Sequence, residues 1–215
     1  ISPFDNTKLK LLPTDEMSKI QPSSIYGITK YQQEQMIFLI GRTLNIPVVA
    51  LRYQNVFGPG QSLSNPYTGI LAIFSTRILN GNDIDVYEDG KESRDFVFID
   101  DVVDANILAL EKKAANYQVF NVGSGSATTV LDVANTLKIL YNSSVKINIS
   151  GKFRLGDIRH NYADLSKINK VLGFFPKFDF NSGISKFVDW VNDQDLVVDK
   201  YEKSINELKK KGLIK

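Results

Sequence analysis

The sequence predicts an α/β fold, and three observations carry that prediction. Short apolar runs such as Pro47–Tyr53 and Gln118–Val122 have the form of strands covered on both faces. Between them, the segments 26–44, 69–79 and 130–141 repeat their apolar residues at helical spacing. Glycine, proline and asparagine gather at the joints, so strands and helices alternate along the chain as they do in a sheet with helical crossovers.

Taken in order, residues 1–22 mix polar residues with Pro3, Pro13 and Pro22 and read as a loop or extended arm. The helix from Tyr26 to Leu44 contains Met36-Ile37-Phe38-Leu39-Ile40, apolar nearly all round, which predicts cover on both faces. The strand ending at Tyr53 leads into Asn55–Gly60, read as a turn-rich loop at a strand's carboxyl end, where open α/β sheets bind ligands. A helix follows from Gly69, closed near Gly81; then strands at Ile84–Tyr87 and Arg94–Ile99 flank a turn at 88–91. Asp100 is placed to cap a helix over 101–112, and the strand Gln118–Val122 leads through Gly123–Ser126 to the helix at 130–141. Lys146–Ile149 is a short strand, 151–162 an irregular basic loop, and Ser166–Leu172 a helix ending at Gly173. Two last helices are expected over 182–192 and 198–211; the lysines of the second mark it as a solvated face.

Composition bounds the function. The chain has 215 residues, 43% hydrophobic and 23% charged, enough for one or two domains with a core. A net charge of +2 demands no nucleic-acid partner. No apolar run approaches the roughly 20 residues of a membrane span, and the first ten residues lack signal-peptide features. The absence of cysteine excludes disulfides and fits a cytoplasmic protein; a lone histidine, His160, excludes the common zinc sites, and no metal is expected.

The most informative local pattern is Tyr26-Gly-Ile-Thr-Lys30. At i,i+4 spacing on a helix, phenol and ammonium share a face, and the cation favours the ionised phenol. A free tyrosine titrates near pH 10, so a base working at neutrality needs a shift of roughly 3 units, about 4 kcal/mol. The same spacing also suits an ordinary surface Tyr and Lys.

Together with Leu51-Arg-Tyr-Gln-Asn-Val-Phe-Gly-Pro-Gly60 and Glu88-Asp-Gly-Lys-Glu-Ser-Arg-Asp-Phe-Val-Phe-Ile-Asp-Asp101, this pattern resembles the extended short-chain dehydrogenase/reductase family, and within it the nucleotide-sugar epimerases. The stretch from Tyr53 to Ile70 is similar to a branch of dTDP-L-rhamnose 4-epimerases and UDP-glucose 4-epimerase-like proteins, and the resemblance covers about residues 12–192. It implies the C-terminal part of a Rossmann-like doubly wound parallel sheet plus a small mixed α/β substrate-binding domain. Residues 1–60 would belong to the NAD-binding part and 61–215 mainly to the substrate part, with 95–141 returning to the Rossmann-like sheet. NAD is the implied cofactor, a nucleotide-diphosphate sugar the implied substrate, and a homodimer through the helix 28–44 the implied assembly.

The resemblance also distributes roles. Tyr26 would be acid and base at the sugar 4-hydroxyl, with Lys30 lowering its pKa and holding the nicotinamide ribose. Tyr53 and Asn55 would border the cofactor. Asn55, Thr68, Gly69, Val86, Tyr87, Arg94, Arg154 and Asp157 would meet the substrate, the arginines at its diphosphate, where guanidinium offers permanent bidentate donors. Each has a plainer reading: salt bridging for the arginines, turn-tying for Asn55, sheet packing for Val86 and Tyr87, loop capping for Asp157. Arg159 is a weaker candidate, and His160 reads as a hydrogen-bonding loop residue. Ser2 falls at the distance of the family's sugar-binding Ser/Thr but without its flanking pattern. Gly123-Ser-Gly-Ser126 lacks the third glycine of a pyrophosphate turn and reads as structural. The expectation is therefore the C-terminal part of a 4-epimerase, inactive alone; a 4,6-dehydratase or reductase of the same superfamily, or a non-catalytic binding module, are the alternatives.

Overall fold

The computed structural model describes residues 9–63, 69–153, 155–195 and 197–212, apart from the side chain of Leu208. The arm 9–24 is irregular, with a turn at 16–17. Thr14 pairs with Ala163, the Glu16 carboxylate accepts the Asn121 amide at 2.8 Å, and Asn121 donates to the Thr14 carbonyl at 3.0 Å. Helix α1, Ile25–Leu44, starts at Ser24, whose hydroxyl accepts the Gly27 amide at 3.1 Å, and stops where Asn45 turns left-handed at φ 54°.

Strand β1, Val49–Tyr53, runs directly into β2, Asn55–Phe57. Asn55–Phe57 was expected as loop; it is a strand because Val56 and Phe57 find a parallel partner in β5, Phe96–Phe98. Helix α2 spans Ile70–Leu79, β3 Ile84–Val86 and β4 Ser93–Arg94. Helix α3, Ile99–Glu111, begins two residues earlier than the Asp100 cap predicted. Asp100 lies in its first turn, and Asp101, buried, accepts the amides of Lys177 and Phe178 at 2.8 and 3.2 Å; burial raises its carboxyl pKa. A 3-10 turn, Lys113–Ala115, leads to β6, Gln118–Val122; β7 is Thr128–Thr129, α4 Val130–Leu140 and β8 Ile147–Ile149. Helices α5, Ser166–Leu172, α6, Phe180–Asn192, and α7, Tyr201–Lys210, complete the order.

Among the described residues the strands pair two by two: β1 with β6, β2 with β5 and β3 with β8, all parallel, and β4 with β7 antiparallel. Strand β5 shows why the sequence reads as continuously apolar. Its Phe96 and Phe98 face one apolar cluster with Phe57, Leu71, Val133 and Phe187, while Val97 faces a second with Val102, Phe120, Ile168 and Leu172. Helices thus cover both faces of a parallel sheet, the Rossmann-like arrangement. In the first cluster Phe57 meets Phe98 edge-on at 5.7 Å and Phe187 at 6.5 Å, the geometry that aromatic quadrupoles favour.

Within the single chain, only Gly41 of helix α1 is buried, and Ile28, Met36, Ile37, Leu39 and Ile40 are exposed, so the cover expected on both faces is not supplied by the described residues. No helix among the described residues is long and apolar enough to cross a membrane.

Candidate active site

Five of the residues singled out by resemblance converge on one cavity of about 350 Å³: Asn55, Gly69, Tyr87, Arg94 and Asp157. Each arrives by a different route. Asn55 opens β2, its amide fixed to the Asp95 carbonyl at 2.9 Å. Gly69 is the N-cap of α2, whose unpaired first amides begin there. Arg94 comes from β4, and its Nη1 donates to the carbonyls of Ser93 and Arg159 at 2.8 and 3.1 Å. Burial lowers the Arg94 pKa, against the opposing pull of the Asp157, Glu92 and Glu88 carboxylates; the group remains a cation.

Val86 does not join them. Strand alternation turns it into the core, fully buried, and turns Asp85 and Tyr87 to the cavity instead. Thr68, Arg154 and Ser2 lie outside the described residues. Tyr53 is half exposed and donates to Asn106 Oδ1 at 2.8 Å, away from the cavity lining. Tyr26 and Lys30 share a face of α1, with the ammonium 5.6 Å from the ring centroid; Tyr26 is 72% exposed. They do not line the cavity, but Ser23 Oγ donates to the Gly156 carbonyl at 2.9 Å and so ties the start of α1 to the loop carrying Asp157. Gly156, at φ 84°, is glycine for cause: a Cβ there would stand 3.2 Å from the Ser23 carbonyl.

Arg159 is engaged with three carboxylates. It binds Glu88, Asp89 at 2.8 Å and Glu92 at 3.2 Å; the Asp89 bond most of all raises its pKa, and its own donation depresses that of Asp89. His160 Nδ1 is hydrogen-bonded with Ser93 Oγ at 2.9 Å. The turn Gly123–Ser126 gives its amides to an internal anion: the buried Asp95 carboxylate takes Ser124 N at 2.7 Å, Gly125 N at 3.0 Å and Ser124 Oγ at 2.7 Å.

Sequence reasoning missed a whole wall of the cavity. Tyr201, Ser204 and Ile205 of α7 line it, with Ser204 and Ile205 buried, so α7 is solvated on one side only. The signal was the spacing of Tyr201, Ile205 and Leu208 along a lysine-rich helix, which charge obscured. Burial, and next the bond to Tyr87, raises the Tyr201 pKa, so its hydroxyl stays protonated.

Comparison with known proteins gives this geometry a context. The model of the NAD dependent epimerase/dehydratase family matches residues 5–123. A dTDP-L-rhamnose 4-epimerase of Burkholderia thailandensis is 39% identical over 189 residues, 87% of this chain and 52% of that protein. The crystal structure of UDP-glucose 4-epimerase with UDP-glucose from Thermotoga maritima superposes with a TM-score of 0.76 at 35% identity, covering 86% of this chain and 59% of that one. The Thermus thermophilus UDP-glucose 4-epimerase complex with NAD gives 0.77 at 28% identity, covering 86% and 59%. The chain thus spans between half and three-fifths of these relatives' length. With a model match over more than half of its residues, joined to a parallel sheet covered by helices on both faces, the chain belongs to the NAD-dependent epimerase/dehydratase family.

Proposed function

We propose that the protein to which this chain belongs is a nucleotide-sugar 4-epimerase that inverts C4 of a dTDP- or UDP-hexose through a 4-keto sugar. The observation that carries the reading is the convergence of Asn55, Gly69, Tyr87, Arg94 and Asp157 on one cavity of about 350 Å³, a volume suited to a small organic ligand. NAD, when bound, supplies the redox chemistry, taking up the C4 hydride and returning it. The exposed phenol and ammonium of Tyr26 and Lys30 are a donor set that fits its ribose, with Tyr53 and Asn55 the further candidates to border it.

This chain's own residues have separate tasks. Tyr26 accepts the proton of the 4-hydroxyl and later returns it to the same oxygen as the 4-keto group is reduced, with the Lys30 ammonium beside it on the helix face. Arg94, with Arg154 as the second candidate, anchors the diphosphate while the sugar turns. Tyr87 borders the base, and Thr68, Gly69 and Asp157 complete the substrate shell. Val86 supports this shell from the core. We assign residues 1–60 to the cofactor part and 61–215 mainly to the substrate part, with 95–141 shared, on the resemblance of their motifs.

Calorimetry with UDP-glucose and dTDP-glucose tests the reading. Arg94→Ala is expected to weaken binding about 10- to 100-fold, the worth of a charge-assisted hydrogen bond. Saturable binding by neither sugar nucleotide, or equal binding by the variant, would count against it.

We further propose that α1 pairs with its copy across a two-fold axis, which would cover Ile28, Met36, Ile37, Leu39 and Ile40. Light scattering should give the mass of a dimer, and a monomer at high concentration would refute the pairing.

A further inference from the structure

The α7 wall has a chemistry of its own. Tyr201 and Tyr87 line the same cavity with their hydroxyls 3.5 Å apart, and Ile205 adds apolar surface beside them. The Arg77 guanidinium, itself buried, lies 4.1 Å from the Tyr201 ring centroid. Arg77 is fixed in turn: it donates to the Asp83 carbonyl at 2.6 Å and pairs with Asp199 and Glu202 at 3.4 and 3.5 Å. Asn82 Nδ2 donates to the same Asp199 carboxylate at 2.8 Å, Asn80 Nδ2 to the Val197 carbonyl at 2.9 Å, and Asp199 accepts the Tyr201 amide at 2.8 Å. Helix α7 is therefore fastened to the end of α2 and the start of β3, and Tyr201 is held by Arg77 at its ring and Tyr87 at its hydroxyl rather than draped over the opening.

A nucleoside diphosphate presents two unlike surfaces. Its phosphates seek a cation, which Arg94 supplies; its base seeks a flat aromatic surface and a polar tip, which a tyrosine combines. We propose that Tyr201, acting with Tyr87, is a nucleobase-binding residue, which makes α7 part of the substrate site. This rests on the nucleotide-sugar reading of the same cavity, and it extends the site to a segment beyond the part of the chain that carries the family's motifs.

The test is calorimetry with UDP and dTDP. Tyr201→Ala should raise both dissociation constants about tenfold, as loss of a base-stacking aromatic does. Tyr201→Phe, which keeps the ring, should stay within about twofold of the parent. Hydrogen exchange on the unmodified chain supplies a readout independent of any variant's folding: saturating UDP or dTDP should slow exchange in residues 197–212. Unchanged or tighter binding by a folded Tyr201→Ala, or no added protection of α7 while nucleotide binds, would overturn the proposal and leave the nucleotide-sugar reading intact. If the unmodified chain binds neither nucleotide, both fall.

Discussion

Replacing Tyr26 with phenylalanine is expected to lower epimerase turnover by about 10²- to 10⁴-fold in the full-length protein, the usual worth of a positioned acid/base. The fold should be untouched. Tyr26 is 72% exposed, and its hydroxyl is not part of the packed core, so removing it leaves no cavity and no buried polar group unpaired. Affinity for the sugar nucleotide should also stay close to the parent's, because Arg94 and the other cavity residues are intact. A fall in kcat with unchanged melting temperature and unchanged nucleotide affinity is therefore the signature to look for. Turnover within tenfold of the parent would remove Tyr26 from the proton-transfer role. A matching loss of nucleotide binding would instead make it a binding residue.

Asp95→Ala is expected to destabilise the chain by about 2–4 kcal/mol, the cost of leaving its hydrogen-bond donors unmet and a large part of an ordinary domain's stability. Asp95 is fully buried and its carboxylate collects three backbone amides, those of Ser124, Gly125 and Ala163, as well as the Ser124 hydroxyl. Truncation to alanine leaves the buried Ala163 amide without a partner, at about 1–3 kcal/mol, and strips the partly exposed Ser124 and Gly125 donors of theirs, where water recovers part of the loss. The effect reaches far along the chain, since the same carboxylate joins the end of β6 to the strand bridge at Ala163. Gly123 shows how tightly the turn is wrapped on it: a Cβ there would lie 2.4 Å from Asp95 Oδ2. Urea denaturation gives the measurement, and Asp95→Asn, which keeps one acceptor oxygen, should recover part of the loss. A loss below about 1 kcal/mol for the alanine variant would show that water substitutes for the carboxylate.

What the sequence made legible was local. Helix α1 could be read because its apolar residues from Tyr26 to Leu44 recur at helical spacing, and β6 because five residues in a row suit a strand covered on both sides. Asn55–Phe57 was misread for the converse reason: the turn-forming Gly58-Pro59-Gly60 stands beside it, and its pairing with β5 depends on residues far along the chain. The aspartates at 100 and 101 misled in a similar way, since Asp101 caps a segment near Lys177 that no local pattern links to it. Of the candidate site, the motif positions were visible one by one, whereas their meeting in a cavity is a product of sheet order. Alternation decided Val86 against Asp85 and Tyr87, and a strand's facing direction needs a known register. Helix α7 was the largest omission, because a lysine-rich exterior hid the side that packs.

The contact between Ser23 and Gly156 has a mechanical consequence. The left-handed Gly156 and its carbonyl's bond from Ser23 Oγ link the loop that contributes Asp157 to the residue just before the cap of α1, so a shift of either strains the other. A ligand that settles that loop would settle the phenol of Tyr26 along with it. If Tyr26 has the role proposed for it, filling the cleft and readying the phenol are coupled through one hydroxyl and one carbonyl.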